Sequence, residues 1–74
     1  MIKKRFKLKR SDIAIVQFIV EGYEGMATVT TLDPHTAVIQ IAIMPDYVEE
    51  MINLLDNLKN KFHLEDVEYY TASI

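Results

Sequence analysis

The sequence predicts an α+β fold with the element order strand, helix, strand, strand, helix, strand, and three observations predict it. Met26 to Ile43 alternates with period two on either side of a turn-forming Asp33-Pro34-His35-Thr36. Two segments, Ile13 to Glu24 and Pro45 to Phe62, carry polar and apolar residues at helical spacing. Two shorter alternating runs, Lys3 to Lys9 and Leu64 to Ala72, stand near the two ends.

The hairpin is the clearest of these signals. Asp33 offers an oxygen to the backbone two residues on, and Pro34 pre-sets φ near −65°. The flanking Thr, Val and Ile residues are β-branched and suit a pleated surface. Ala37, Ile39, Ile41 and Ile43 fall on one face, and Val38, Gln40 and Ala42 on the other. In the first run Ala27, Val29 and Thr31 alternate with Thr28, Thr30 and Leu32. An apolar face of this kind needs cover, because a lone hairpin is marginal in water.

The first strand, Lys3 to Lys9, turns Phe6 and Leu8 inward and Arg5, Lys7 and Lys9 outward. Ser11 is a suitable N-cap and Asp12 suits the positive helix end. Ile13 to Glu24 is rich in Ile and Val, yet Gln17, Glu21 and Glu24 recur at i, i+4, i+7, which defines one polar helical stripe. Gly25 is the expected C-terminal stop. The apolar residues Ile13, Ile15, Val16, Phe18, Ile19, Val20 and Tyr23 cover more than half of that helix's circumference. One sheet face covers only part of such an arc. The remainder packs under the second helix or against another chain.

Pro45 opens the second helix, and Asp46 followed by Glu49 has capping-box spacing. Val48, Met51, Ile52, Leu55, Leu58 and Phe62 form one apolar stripe. Glu49, Glu50, Asn53, Asp56, Asn57 and Asn60 form its wet face, and one core satisfies it. In the last strand Val67, Tyr69 and Thr71 alternate with Glu68 and Tyr70. The element order is that of ferredoxin-like βαββαβ folds: a four-stranded antiparallel sheet with two helices on one face. The usual strand order places the first strand between the third and the fourth.

At 74 residues the chain predicts one domain, residues 1–74, burying only about 60% of its unfolded surface. It has no cysteine, so neither a disulfide nor a thiolate metal site is available. The net charge of −3 hides an asymmetry. Lys3, Lys4, Arg5, Lys7, Lys9 and Arg10 are six of the eight basic residues, and all eleven acids lie beyond Ser11. An anionic partner is one reading of the basic start. Pairing with Glu65, Asp66 and Glu68 on an adjacent last strand is the plainer one, and the reading preferred here. The basic start followed by Ile13-Ala14-Ile15-Val16-Gln17-Phe18-Ile19-Val20 resembles a secretory signal. Ser11-Asp12 interrupts it, however, and Glu21-Gly22-Tyr23-Glu24 follows where small residues would mark cleavage. No stretch approaches the roughly 18–20 apolar residues of a spanning helix. The expectation is a cytoplasmic protein with no membrane association.

No catalytic, metal or phosphate motif emerges, and the expectation is that the protein is not an enzyme, needs no cofactor and holds no metal. His35 in a turn and His63 at a helix end lack a second ligand at metal spacing. Gly22 and Gly25 do not have the spacing of a phosphate loop. The four methionines read as core or interface filler. Nucleic acid is disfavoured: the outer positions Arg5, Lys7, Lys9, Val38, Gln40 and Ala42 supply charge without stacking aromatics, and the pI is about 5.2.

Glu21-Gly22-Tyr23-Glu24-Gly25-Met26-Ala27, the Thr30-Thr31-Leu32-Asp33-Pro34 turn and the Pro45-led helix resemble a family of short bacterial single-domain proteins catalogued only as a domain of unknown function. That resemblance implies no activity. The element order is also similar, in topology alone, to ACT-type regulatory domains, which dimerise and bind amino acids near the first strand-helix junction. Those domains often have glycine there; here Lys9-Arg10-Ser11-Asp12 takes its place.

Three functional expectations follow. The leading one is a non-enzymatic interaction or regulatory module working as a homodimer, with Ile15, Phe18, Ile19 and Tyr23 in the interface. The second is a sensor of an amino acid or small anion, using Arg10, Ser11 and Asp12 at the start of the first helix. The third is weak nucleic-acid binding through the basic first strand.

Overall fold

The structure is a computed structural model and describes residues 1–67. The strands are β1 (Ile2–Lys7), β2 (Ala27–Asp33), β3 (Val38–Ile43) and β4 (Glu65–Asp66). The helices are α1 (Ile13–Glu21) and α2 (Val48–Phe62), each entered through a short 3-10 turn, Arg10–Asp12 and Pro45–Tyr47. The sheet is antiparallel throughout, in the order β2-β3-β1-β4. This is the ferredoxin-like arrangement expected from the sequence, with β1 between β3 and β4. Residues 68–72 of the expected last strand lie outside the described residues.

Register explains which side chains meet. Phe6 lies opposite Ile39, Lys4 opposite Ile41 and Ile2 opposite Ile43. Across the other edge of β3, Thr31, Val29 and Ala27 face the same three isoleucines. Ile39, Ile41 and Ile43 are wholly buried, in one cluster with Phe6, Val16 and Val20 of α1, and Met51, Leu55 and Leu58 of α2. Both helices therefore cover one face of the sheet. The other face carries Lys3, Arg5 and Lys7 on β1, Val38, Gln40 and Ala42 on β3, and Thr28 and Thr30 on β2. Val38 is buried although it shares that outer face with Gln40 and Ala42.

The hairpin turn forms as its residue types require. Oδ1 of Asp33 accepts the N–H of His35 at 2.9 Å and the N–H of Thr36 at 3.3 Å. A hydrogen bond from the Thr36 side chain, together with these two backbone bonds, holds the carboxyl of Asp33 below its ordinary pKa. A register shift between Thr31 and Asp33 and a left-handed Ala37 (φ 57°) complete the reversal.

Four expectations about element ends are corrected. The first strand starts one residue earlier and stops at Lys7, although Leu8 is still bonded to Ala37 through its N–H at 3.2 Å. Ser11 does not cap α1: it lies inside the 3-10 turn, and the N-cap residue is Asp12, whose side chain makes no capping bond. The Asp46–Glu49 capping box does not form either. The Tyr47 N–H donates to the Met44 carbonyl at 3.0 Å, and this 3-10 turn moves the N-cap to Tyr47. Finally, α1 ends at Glu21 rather than Glu24. Gly22 is its C-cap, the Tyr23 N–H bonds back to Val20, and Gly25 (φ 75°) reverses the chain only after the helix has ended.

Candidate functional site

The site begins with α1, because its sequence leaves apolar surface over. Val16 and Val20, one turn apart, have no exposed surface and face the core. Ile13 and Ile19 are half-buried and pack against the core margin. Ile15 and Tyr23 are each 43% exposed, and Phe18 is 76% exposed. Of the four residues expected in an interface, the structure thus leaves Ile15, Phe18 and Tyr23 outside the core and turns Ile19 partly into it. Ile15 and Phe18 sit three residues apart, so they share one ridge of the helix. Gln17 and Glu21, on the polar stripe, are joined by a long hydrogen bond of 3.4 Å.

The second candidate, Arg10, Ser11 and Asp12, forms the turn between β1 and α1. Its backbone is closed by the Asp12 N–H donating to the Lys9 carbonyl at 2.9 Å. Arg10 and Ser11 are exposed and Asp12 is half-buried. The three residues are adjacent, and no side chain among them makes a capping bond.

The third candidate is the basic first strand, and here the structure departs from the preferred reading. Glu65 lies opposite Lys7, and Asp66 lies opposite Phe6 on the helix-covered side of the sheet. The carboxylate of Asp66 bonds Lys59 of α2 at 2.7 Å. That bond raises the pKa of Lys59. Among the described residues no carboxylate lies within ion-pair distance of Lys3, Lys4, Arg5, Lys7, Lys9 or Arg10. Of the expected pairing of β1 with Glu65, Asp66 and Glu68, strand parity sends Asp66 to the helix layer, Glu65 lies opposite Lys7 without forming an ion pair, and Glu68 lies outside the described residues. Arg5 instead donates from Nε to Oε1 of Gln40, directly across the strand pair, at 3.0 Å. Beside this strand a cavity of about 410 Å³ is lined by Lys3, Lys4, Arg5, Lys59, Asp66 and Val67.

One apolar surface escaped the sequence reading. Met1, Ile2, Met44 and Tyr47 are also exposed, at the end of the sheet where β1 begins and β3 finishes. Tyr23 adjoins them through backbone bonds from Met26 to Tyr23 and from Met44 to Met26. The pairing of Ile2 with Ile43 would have revealed this, since their outer neighbours extend past the last row of the sheet. Register between distant segments is what the sequence leaves open.

Among the described residues no group of three His, Cys, Asp or Glu side chains is placed to hold a metal ion, and no helix is long and apolar enough to cross a membrane. The pattern of the family described as "Domain of unknown function (DUF4911)" matches residues 6–61, and the chain belongs to that family. No curated protein and no solved structure matches the chain.

Proposed function

We propose that this member of a family without an assigned activity is a non-enzymatic interaction or regulatory module that works as a homodimer. The second copy covers the outer face of α1. One observation carries this reading: Phe18 lies 76% exposed on a short helix whose other apolar side is already filled by Val16 and Val20. A large aromatic in water contributes nothing to the stability of one chain. Fully covering Phe18 contributes up to roughly 1.5–3 kcal/mol, and Ile15 and Tyr23, each only 43% exposed, contribute less. In a chain this small such a term is a sizeable part of the total.

Sedimentation equilibrium at tens of micromolar tests the proposal. The expected result is a dimer, converted to a folded monomer by Phe18→Glu and by Ile15→Glu. A wild-type chain that sediments as a monomer at that concentration sinks the reading.

A further inference from the structure

The uncovered face of the sheet poses a separate question, because its charge is arranged rather than scattered. Lys3, Arg5 and Lys7 project from one face of β1 at alternate positions. In a strand that spacing is about 6.7 Å from one side chain to the next. Their neighbours across β3 and β2 are Val38, Gln40, Ala42, Thr28 and Thr30, which are neutral and unbranched beyond Cβ or nearly so. A partner can approach this floor closely beside Lys3 and Arg5, whereas at the Lys7 end Val38 is already buried.

Arg5 is the centre of that row and, among the described residues, the one of its three cations held by a side-chain hydrogen bond. Its Nε is held by Gln40 at 3.0 Å, and both residues are half-buried. A guanidinium is a rigid planar fork, so fixing the Nε edge also fixes the two terminal nitrogens. Those nitrogens have no hydrogen-bond partner among the described residues. They are donors positioned for a bidentate oxyanion, flanked by two lysines. Asp12, Glu21, Glu24, Asp46, Glu49, Glu50 and Asp56 belong to the helices and their leading or trailing turns, Asp66 is bonded to Lys59, and the Asp33 carboxylate is turned into the hairpin turn. Glu65, opposite Lys7 on β4, is the carboxylate beside the row among the described residues, and it forms no ion pair with it.

We infer that the open face of the sheet docks an acidic segment of another protein, with Arg5 as the bidentate anchor and Lys3 and Lys7 as its flanking contacts. Carboxylates on alternate residues of an extended segment have the same spacing of about 6.7 Å as the cations. The chemistry favours a protein segment over a nucleic acid strand. Single-stranded nucleic acid binds by stacking bases on aromatics as well as by phosphate contacts, and the described residues of this face include no aromatic. This surface is distinct from the outer face of α1 and does not depend on dimer formation.

Fluorescence anisotropy with a short labelled peptide carrying glutamate at alternate positions provides the test. The same peptide with glutamine in place of glutamate, and an oligothymidylate of equal charge, serve as comparisons. The glutamate peptide binds and the glutamine peptide does not. Arg5→Lys keeps the charge but loses the fork, and weakens binding by about tenfold. Gln40→Leu, which frees the guanidinium, also weakens binding, whereas Lys61→Gln on α2 leaves it unchanged. Should Arg5→Lys fail to fold by circular dichroism, the exposed pair Lys3→Glu and Lys7→Glu must abolish binding. Equal loss with Lys61→Gln, no binding of the glutamate peptide, or tighter binding of the oligothymidylate each overturns the inference. So does a change of sedimentation state in the Lys3→Glu, Lys7→Glu variant, which would assign the face to a second copy.

Discussion

The two helices lie on the same sheet and solve different problems. α2 is fifteen residues long, and its buried side chains, Met51, Leu55 and Leu58, follow one stripe. Its opposite face is Asn, Asp and Glu, and water satisfies it. α1 is nine residues long and nearly all apolar: IAIVQFIVE. Its buried stripe, Val16 and Val20, uses only part of that surface, and Phe18 and Ile15 remain outside. A helix made only to cover this sheet would resemble α2. Packing among the described residues does not account for the excess on α1, and it is this surface that the proposed homodimer covers.

The largest test of this contrast is a pair of truncations. Leu55→Ala removes a side chain that is 2% exposed in the common core and leaves a cavity, at a cost of about 2–5 kcal/mol. For a small domain that is much of the total stability. Phe18→Ala removes a larger side chain from the surface and changes monomer stability by no more than about 0.5 kcal/mol. Urea denaturation at concentrations low enough to keep the chain monomeric compares the two. Equal losses would mean that Phe18 is a core residue and that α1 carries no excess.

The helical periods of both elements are legible in the sequence, and so is the over-wide apolar arc of α1. They are local patterns, repeated over several turns, with nothing distant competing against them. Ile39, Ile41 and Ile43 are legible for the same reason, with period two in place of 3.6. The helix starts are not legible. Ser11 and Asp46 have the composition of caps, yet at each position a backbone 3-10 turn closes first and the cap side chain goes unused. The partner of Asp66 was also hidden. Its position beside β1 suggests β1 as the partner, but parity points the carboxylate to Lys59 on the other side. At the candidate sites, exposure could be anticipated where one helix decides it. It could not where three segments converge, as at Met1, Met44 and Tyr23.

The helix ends sharpen the comparison on a smaller scale. α2 terminates in a left-handed non-glycine residue, His63 (φ 54°), whose N–H bonds to the Lys59 carbonyl. α1 terminates through right-handed Gly22 and places glycine at the left-handed position only three residues later, at Gly25 (φ 75°). Left-handed backbone costs an ordinary L-residue about 1 kcal/mol, part of which glycine returns through its freer unfolded chain. His63→Gly should therefore raise stability by roughly 0.5 kcal/mol. Gly25→Ala should lower it by roughly 1 kcal/mol. A Cβ at Gly25 would meet no atom within 4 Å, so its cost is backbone conformation alone. Thermal melts of both variants decide whether the two ends differ in this way. A destabilised His63→Gly would show that the imidazole contributes more than its backbone strain costs.

The smallest effect concerns how each helix is tied laterally. α2 reaches β4 through Lys59 and Asp66 at 2.7 Å, whereas the side-chain hydrogen bond of α1, Gln17 to Glu21, stays within the helix. Hydrogen bonding to Asp66 raises the pKa of Lys59 above its ordinary 10.5. A group whose folded pKa is raised contributes stability that is fully present below the unfolded value and is lost as pH rises through the folded one. The stability difference between wild type and Asp66→Asn should accordingly be constant at neutral pH and shrink as the solution passes above pH 10.5. Both partners are solvent-exposed, so salt should shrink it too. Denaturation curves of the two proteins at paired pH and salt values read the difference directly, cancelling the other lysines and tyrosines that titrate in the same range. A difference that survives both alkali and salt would mean that Asp66 holds the α2–β4 junction by its shape and hydrogen bonding, and that charge plays no part in this tie.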